Sequence, residues 1–265
     1  MQNNGNKFFE LTLQENNAIW VLALNNPPAN ALTMAILSEG EALINDFLNN
    51  GKAKVLILTA TGDRAFSSGV NINEIDSITS GSQGAKIALK GQNLCDLIGN
   101  SDKPIIAAIN ALCIGGGNEI AIACHMRIAS ERAKFGQPEI NIGIIPGFGG
   151  TQRLPRLIGA SQARKLMLTG DIISAQEALR IGLVDEVVKD EALLKRALHL
   201  AGRIIRNSMM GVFLTQEAIR KGMGISLAEG LAVENDCFKR MCDTEDMKEG
   251  VRAFKERRVP NFKDR

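Results

Sequence analysis

The chain reads as an α/β protein with a parallel sheet, continued by a helical C-terminal region. Two observations predict this. Short unbroken apolar runs, lacking the in/out alternation of half-exposed strands, read as strands buried on both faces, and they alternate with segments of helical period. Beyond residue 188 no strand-like run recurs and the apolar spacing is helical.

Each element follows from its own residues. Residues 18–24 (AIWVLAL) form the first buried run, and Asn25-Asn-Pro-Pro28 is the turn after it. Residues 32–48 place apolar side chains at helical spacing, so the next element is a helix. Residues 55–59 (VLILT) are a second buried strand, closed by a turn at 62–64, and residues 104–109 (PIIAAI) are a third. From residue 160 helices are predicted at 161–168, 174–181 with Gly182 as its stop, 190–206, 209–221 and 227–244. One short strand at 183–188 interrupts them. The resulting organisation is an α/β core at 1–196 that carries any active site, and a helical region at 197–265.

Composition bounds the function without selecting it. A chain of 265 residues with 45% hydrophobic content can bury one large core. Lys and Arg (31) nearly balance Asp and Glu (29), and no basic run carries interleaved aromatics, so a nucleic-acid partner is not expected. Cys95, Cys113, Cys124, Cys237 and Cys242 form no C-x-x-C pair, and three of them sit in apolar stretches, which favours a reducing compartment. The first ten residues have neither the apolar core of a secretory signal nor an Arg/Ser-rich amphipathic character, and no apolar run approaches a membrane span. A cytoplasmic location without a membrane partner is the expectation.

The chemistry concentrates in two glycine-punctuated segments. Glu119 ends Ile114-Gly-Gly-Gly-Asn-Glu119, between the buried run 104–109 and a packed helix start at 120–124, and Glu139 ends Phe135-Gly-Gln-Pro-Glu139. Two carboxyls in such settings read as an acid/base pair. The glycines fall at a strand-to-helix turn, where the first backbone N–H groups of a helix have no carbonyl partner and the helix dipole favours an anion. A third segment, Arg64-Ala-Phe-Ser-Ser-Gly-Val-Asn71, follows the strand at 55–59. Ser68 N–H and Gly116 N–H from two loops converging on one oxygen would make an oxyanion hole for an acyl carbonyl.

Other chemistries find little support. There is no G-x-x-x-x-G-K-[ST] phosphate loop, no G-x-S-x-G elbow, and neither glycine cluster completes G-x-G-x-x-G. His125 and His199, both in helical or apolar surroundings, read as structural, so neither a metal site nor a Ser-His dyad is expected. Alone, a glutamate in a first helical turn or a triple glycine has an ordinary structural explanation. Their ordered combination carries the argument.

Five segments in order resemble the crotonase (enoyl-CoA hydratase/isomerase) superfamily: Phe66-Ser-Ser-Gly-Val-Asn-Ile72, Asn110 through Glu119, Phe135-Gly-Gln-Pro-Glu-Ile140, Gly143 through Arg153, and Leu168-Thr-Gly170. The resemblance runs nearly end to end. It implies a spiral of ββα units with a helical C-terminal trimerisation region, assembled as a trimer or a dimer of trimers. It implies hydration of trans-2-enoyl-CoA without a cofactor, coenzyme A being part of the substrate. Glu119 would activate water, Glu139 would protonate the α carbon, and Ser68 and Gly116 would supply the oxyanion N–H groups. Ser68, Gly69, Val70 and Asn71, with Gly116, would line the coenzyme A side, and Phe254 and Arg257 would reach the coenzyme A of a neighbouring subunit. Residues 73–92, rich in Ser and Gly, would form a mobile roof over the acyl pocket.

The chain departs from the superfamily pattern at Asn71, where Asp is common, at Asn118, where a small or apolar residue is frequent, and at His125, where Asp often stands. None replaces a proposed catalytic group. An enoyl-CoA isomerase on the same scaffold is the alternative reaction, and a non-catalytic acyl-CoA-binding protein is the alternative of another class. Retention of both glutamates argues against a binder, which gains nothing from two desolvated carboxyls.

Overall fold

The computed structural model describes residues 6–265; residues 1–5, part of the stretch read for leader character, lie outside the described residues. A hairpin opens the fold, with β1 (Phe9–Gln14) antiparallel to β2 (Ile19–Leu24). Helix α1 (Met34–Asn49) starts where Thr33 caps it, its side chain accepting the Ile36 N–H. Strand β3 (Val55–Ala60) then pairs parallel with β2 and leads into β4 (Ala65–Ser67).

Residues 73–92 are not a loop. They belong largely to α2 (Ile72–Asp76) and α3 (Gly81–Gly99), the latter capped by Ser80, whose side chain accepts the Gln83 N–H. The Ser and Gly content that reads as a mobile roof serves a cap and close packing instead. Strand β5 (Ile105–Ile109) follows, then β6 (Leu112–Ile114) and α4 (Gly116–Ala123). The glycine turn therefore issues from β6, not directly from the buried run at 104–109, and Gly116 is already the first helical residue.

Strands β7 (Met126–Ser130) and β8 (Lys134–Gly136) lead to a 3-10 turn at Pro138–Ile142, and then to α5 (Gly150–Ile158) and α6 (Ala160–Thr169). Strand β9 (Ile172–Ser174), α7 (Ala175–Arg180) and β10 (Glu186–Val188) precede α8 (Leu193–Ile205), and α9 (Met209–Gly222), α10 (Leu227–Cys242) and α11 (Glu245–Glu256) complete the chain.

Two sheets result, ordered β1-β2-β3-β5-β7-β10 and β4-β6-β8-β9. In each, one edge strand is antiparallel, β1 in the larger and β9 in the smaller, and the rest are parallel. The chain alternates between sheets before each helix: β3-β4-α3, β5-β6-α4, then β7-β8 and the helices beyond. This is the ββα spiral that the resemblance implies. Short strands of the smaller sheet end where the glycine-rich segments begin, so the spiral stacks those segments side by side.

Both faces of the larger sheet are covered. On one, Leu22, Leu56, Leu58, Ile105 and Ala107 join the main core. On the other, Ile19, Val55, Ile57, Ile106 and Ile128 pack against Leu193, Ala197 and Ala201 of α8. That spacing of four sets one face of α8 on the sheet, and two alanines let it approach closely. The boundary expected between 196 and 197 falls inside this helix. Burial on both faces is the reason these strands read as unbroken apolar runs.

Helices α9 and α10 pack on each other and border an apolar groove of about 440 Å³ that includes Leu214, Leu227, Leu231 and Phe238. The last residues turn back on α11: the buried Asp246 carboxylate accepts from Ser208 Oγ, Lys263 N and Asp264 N, while Asp264 pairs with Lys54.

Candidate active site

A cleft of about 810 Å³ gathers the glycine-rich segments. Ser68, Gly69, Val70, Gly116, Glu119 and Glu139 all line it. Glu119 lies in the first turn of α4, a helix whose every residue is buried, and is itself 2% exposed. Its Oε1 accepts two backbone N–H groups, Phe148 at 2.8 Å and Gly150 at 2.6 Å. Burial pushes the Glu119 carboxyl up from 4.5 to about 7, and the nearby Glu139 adds to this, while the two N–H donors and Arg153 oppose it.

Glu139 sits in the 3-10 turn behind Pro138. Neither of its carboxyl oxygens has a hydrogen-bond partner among the described residues, and burial pushes it up to about 7 as well. A methyl group on Gly115 would stand 3.2 Å from Glu139 Oε1, so the glycine at φ +53° lets the second carboxyl close over the start of α4.

Which of the expected oxyanion donors is available follows from where each backbone N–H is spent. Ser68 N–H is not free: it donates to the Ala29 carbonyl at 3.0 Å. Gly69 N–H donates to Ser67 Oγ and Asn71 N–H to the Leu32 carbonyl. Val70 N–H, between them, has no acceptor among the described residues, and neither has Gly116 N–H at the start of α4. The second donor is therefore corrected from Ser68 to Val70. Gly69, at φ +87°, brings the two loops together; a methyl group there would stand 3.4 Å from the Gly116 nitrogen.

The remaining expected residues separate from this cleft. Asn71 caps α2, its Oδ1 accepting the Asn73 N–H, and does not line the cleft. Phe254 is 85% exposed on α11, and Arg257 ends that helix in left-handed conformation; neither lines the cleft of its own chain. His125 is structural: its Nδ1 accepts the Ile105 N–H, and burial lowers it to about 4, keeping the ring neutral. Asn118 is buried and donates to Gln137 Oε1 at 3.4 Å.

Sequence reasoning missed the donors to Glu119. The signal for them is the glycine cluster Gly147-Phe-Gly-Gly150, whose backbone has to approach a carboxylate; a methyl group on Gly150 would stand 2.9 Å from Glu119 Oε1. It also missed the apolar wall, where Ile75, Ile78 and Ile87 of the α2–α3 region face Ile144 and Phe148. Among the described residues, no group of three His, Cys, Asp or Glu side chains could hold a metal ion.

Paired buried carboxyls beside two free N–H groups, at the rim of stacked ββα turns, define an acyl-thioester enzyme of the crotonase fold. A family model described as enoyl-CoA hydratase/isomerase matches residues 14–265, and the chain belongs to that family. It is 40% identical over 253 residues to a crotonyl-CoA hydratase of Syntrophomonas wolfei, covering 95% of this chain and 97% of that one. Identity to a short-chain-enoyl-CoA hydratase of Clostridium acetobutylicum is also 40%, over 255 residues, with 96% and 97% covered. A crystal structure of enoyl-CoA hydratase from Bacillus anthracis superposes with a TM-score of 0.94 at 36% identity, covering 98% of this chain and all of that one.

Proposed function

We propose that this chain is an enoyl-CoA hydratase, a hydro-lyase that adds water reversibly across the double bond of a trans-2-enoyl-CoA to give a 3-hydroxyacyl-CoA. The observation that carries the reading is the unequal treatment of the two glutamates. Glu119 receives two backbone donors from another segment, which favour its ionised form, whereas no other segment donates to Glu139, which we take as the protonated partner. One base and one acid then face the same cleft.

The thioester oxygen accepts the Val70 and Gly116 N–H groups, which polarises the conjugated double bond and makes the β carbon electrophilic. Glu119 takes a proton from water as its oxygen bonds to the β carbon, and the enolate is held by the same two donors, each worth about 3 kcal/mol. Glu139 delivers its proton to the α carbon. The carboxyls have then exchanged roles, and proton exchange with solvent restores the starting state. Water addition involves no redox change or group transfer, so the proposal includes no cofactor.

The assembly is part of the proposal. Large apolar side chains exposed on α10 and at the end of α9, including Met223, Leu227 and Phe238, favour association into a trimer or dimer of trimers. Phe254 and Arg257 then act on a neighbour's coenzyme A, an aromatic and a basic group suiting a ligand with a purine and phosphates. No helix is long and apolar enough to cross a membrane among the described residues, which is compatible with the expected cytoplasmic location.

The test is loss of enoyl-thioester absorbance on mixing with crotonyl-CoA, followed by a panel of enoyl-CoA substrates of graded length and branching. A hydratase consumes the band. A binding protein leaves it unchanged, and an isomerase acts on a 3-enoyl substrate instead; either outcome overturns the reading.

A further inference from the structure

Glu119 is aimed by the turn at 147–150, and three contacts hold that turn against α3. The Phe148 ring occupies the space over Gly91, where a methyl group would stand 2.0 Å from the ring. Gln92 Nε2 donates to the Gly147 carbonyl at 2.9 Å. Arg153 of α5 donates from one guanidinium nitrogen to the Phe148 carbonyl at 3.0 Å and pairs with Asp96 of α3 through another. Within the turn Gly149 adopts φ +109°, a conformation open to glycine, and a methyl group there would stand 2.0 Å from Arg153 Nη1, so the missing side chain makes room for the guanidinium. The same helix α3 walls the cleft with Ala85, Ile87 and Ala88.

We propose that Arg153, braced by Asp96, is a positioning residue for Glu119: it clamps the turn so that Phe148 and Gly150 N–H groups both reach Glu119 Oε1, and so couples the wall of the cleft to the basicity of the water-activating carboxylate. The inference rests on the reading of Glu119 as base. A planar guanidinium suits the task, because its divergent N–H groups serve a carbonyl and a carboxylate at once. Its charge also favours ionised Glu119. Two other titratable groups face that carboxyl. Glu139 from the 3-10 turn acts in the opposite direction, and Cys95 of α3 stays a neutral thiol because burial raises it well above the ordinary range.

The experiment compares wild type with Arg153→Gln, Arg153→Lys and Asp96→Asn. Two quantities are read: the pH profile of kcat/KM with crotonyl-CoA, and the ¹³C carboxyl titration of Glu119 by NMR, assigned with Glu119→Gln. In Arg153→Gln the acid limb and the NMR midpoint move up by about one pH unit, since a charge and a hydrogen-bond scaffold are both lost. The kcat falls by about tenfold or more with KM little changed, as misplacement of a catalytic group requires. Arg153→Lys recovers part of the pH shift and little of the kcat, and Asp96→Asn shifts both readouts in the same direction by less. The proposal is overturned if folded Arg153→Gln and Asp96→Asn overlay the wild type in both readouts. Should Arg153→Gln fail to fold, Asp96→Asn decides, its side chain being 60% exposed. A wild type that does not hydrate crotonyl-CoA sinks the hydratase reading, while the NMR midpoints still test the clamp.

Discussion

Glu119 and Glu139 reach a similar ionisation by different balances of forces, and that difference makes their replacement informative. Burial dominates both, but Glu119 is opposed by two N–H donors from a separate turn, whereas Glu139 is opposed only by its own backbone N–H. A carboxyl whose folded value rises from 4.5 to about 7 holds its proton more tightly in the native state. Native stability therefore falls as pH rises through that window, and stays lower above it. Glu119→Gln removes the ionisation while keeping an acceptor for the Phe148 and Gly150 N–H groups. It is expected to match wild-type stability near pH 4 and to exceed it above pH 7 by about 3 kcal/mol, while kcat drops at least about a hundredfold. Urea melts at both pH values decide this; an equal stability difference at the two would show that Glu119 is not held against its charge. The oxyanion donors give a second residue-scale prediction. Val70→Pro deletes the free N–H and should cost about 10² to 10³ in kcat, whereas Val70→Ala and Ser68→Ala keep every backbone donor and should be nearly silent. A folded Val70→Pro enzyme with native turnover would contradict the assignment. Loss of activity in Ser68→Ala would instead bring the hydroxyl into the chemistry.

At the scale of elements, α4 is the part of the fold on which the site depends most. It carries Gly116 and Glu119 together, so its approach to β4 sets the distance between the proposed oxyanion donor and the proposed base. Gly117 permits that approach: a methyl group there would stand 2.6 Å from Ser67 Cβ and 2.7 Å from the Ser67 carbonyl oxygen. Neither neighbour is the free end of a flexible chain. Gly117→Ala is expected to push α4 from β4, costing about 1 to 3 kcal/mol as overpacking does, and to lower kcat by more than the stability loss explains. Thermal melts with kinetics on the folded fraction test this, and an alanine variant with native kcat would mean that the site tolerates the shift. Helix α3 belongs to the same scale. It is a packed helix tied to the 147–150 turn, so the cleft is roofed by an element whose position bears on catalysis.

For the whole molecule, the contrast is between a core covered on both faces of its main sheet and a C-terminal region that leaves large apolar side chains in solvent. Met223 at 79%, Leu227 at 80% and Phe238 at 68% exposure lie around the α9–α10 groove. Each would gain about 1.5 to 3 kcal/mol on full burial, which makes association the natural use of this surface. Phe238→Asp and Leu227→Asp should shift the protein toward monomer in light scattering, without lowering the stability of the core. Retention of the wild-type mass in both would exclude the groove from the contact. For the proposed coenzyme A contact, Phe254→Ala and Arg257→Ala are the cleaner variants. Deleting the tail would also remove the Asp264 contacts to Asp246, Lys54 and Met209 that anchor α9 and α11.

The α/β class, both glutamates and their glycine settings were legible in the residues alone, because each rests on short-range physics. Strands buried on both faces are apolar throughout, helices repeat every three to four residues, and a backbone that approaches a ligand closely is written in glycine. Short strands such as β4, β6 and β8 were not legible, since three residues carry no period. Nor was α3, whose Ser80 cap and Gly91 contact look like loop composition until Phe148 is seen against the helix. The oxyanion donor shows the limit most clearly. Ser68 and Val70 are equivalent as residues with a backbone N–H, and only the Ala29 carbonyl, brought in from a turn far along the chain, occupies the first and leaves the second free. The proposed proton assignment of the two glutamates rests on the same kind of contact, because the donors to Glu119 come from a turn about thirty residues away in sequence. Side-chain identity is local, but the partner of a hydrogen bond and the depth of burial are settled by the packing of distant segments, and those two quantities decide which atoms are left to react.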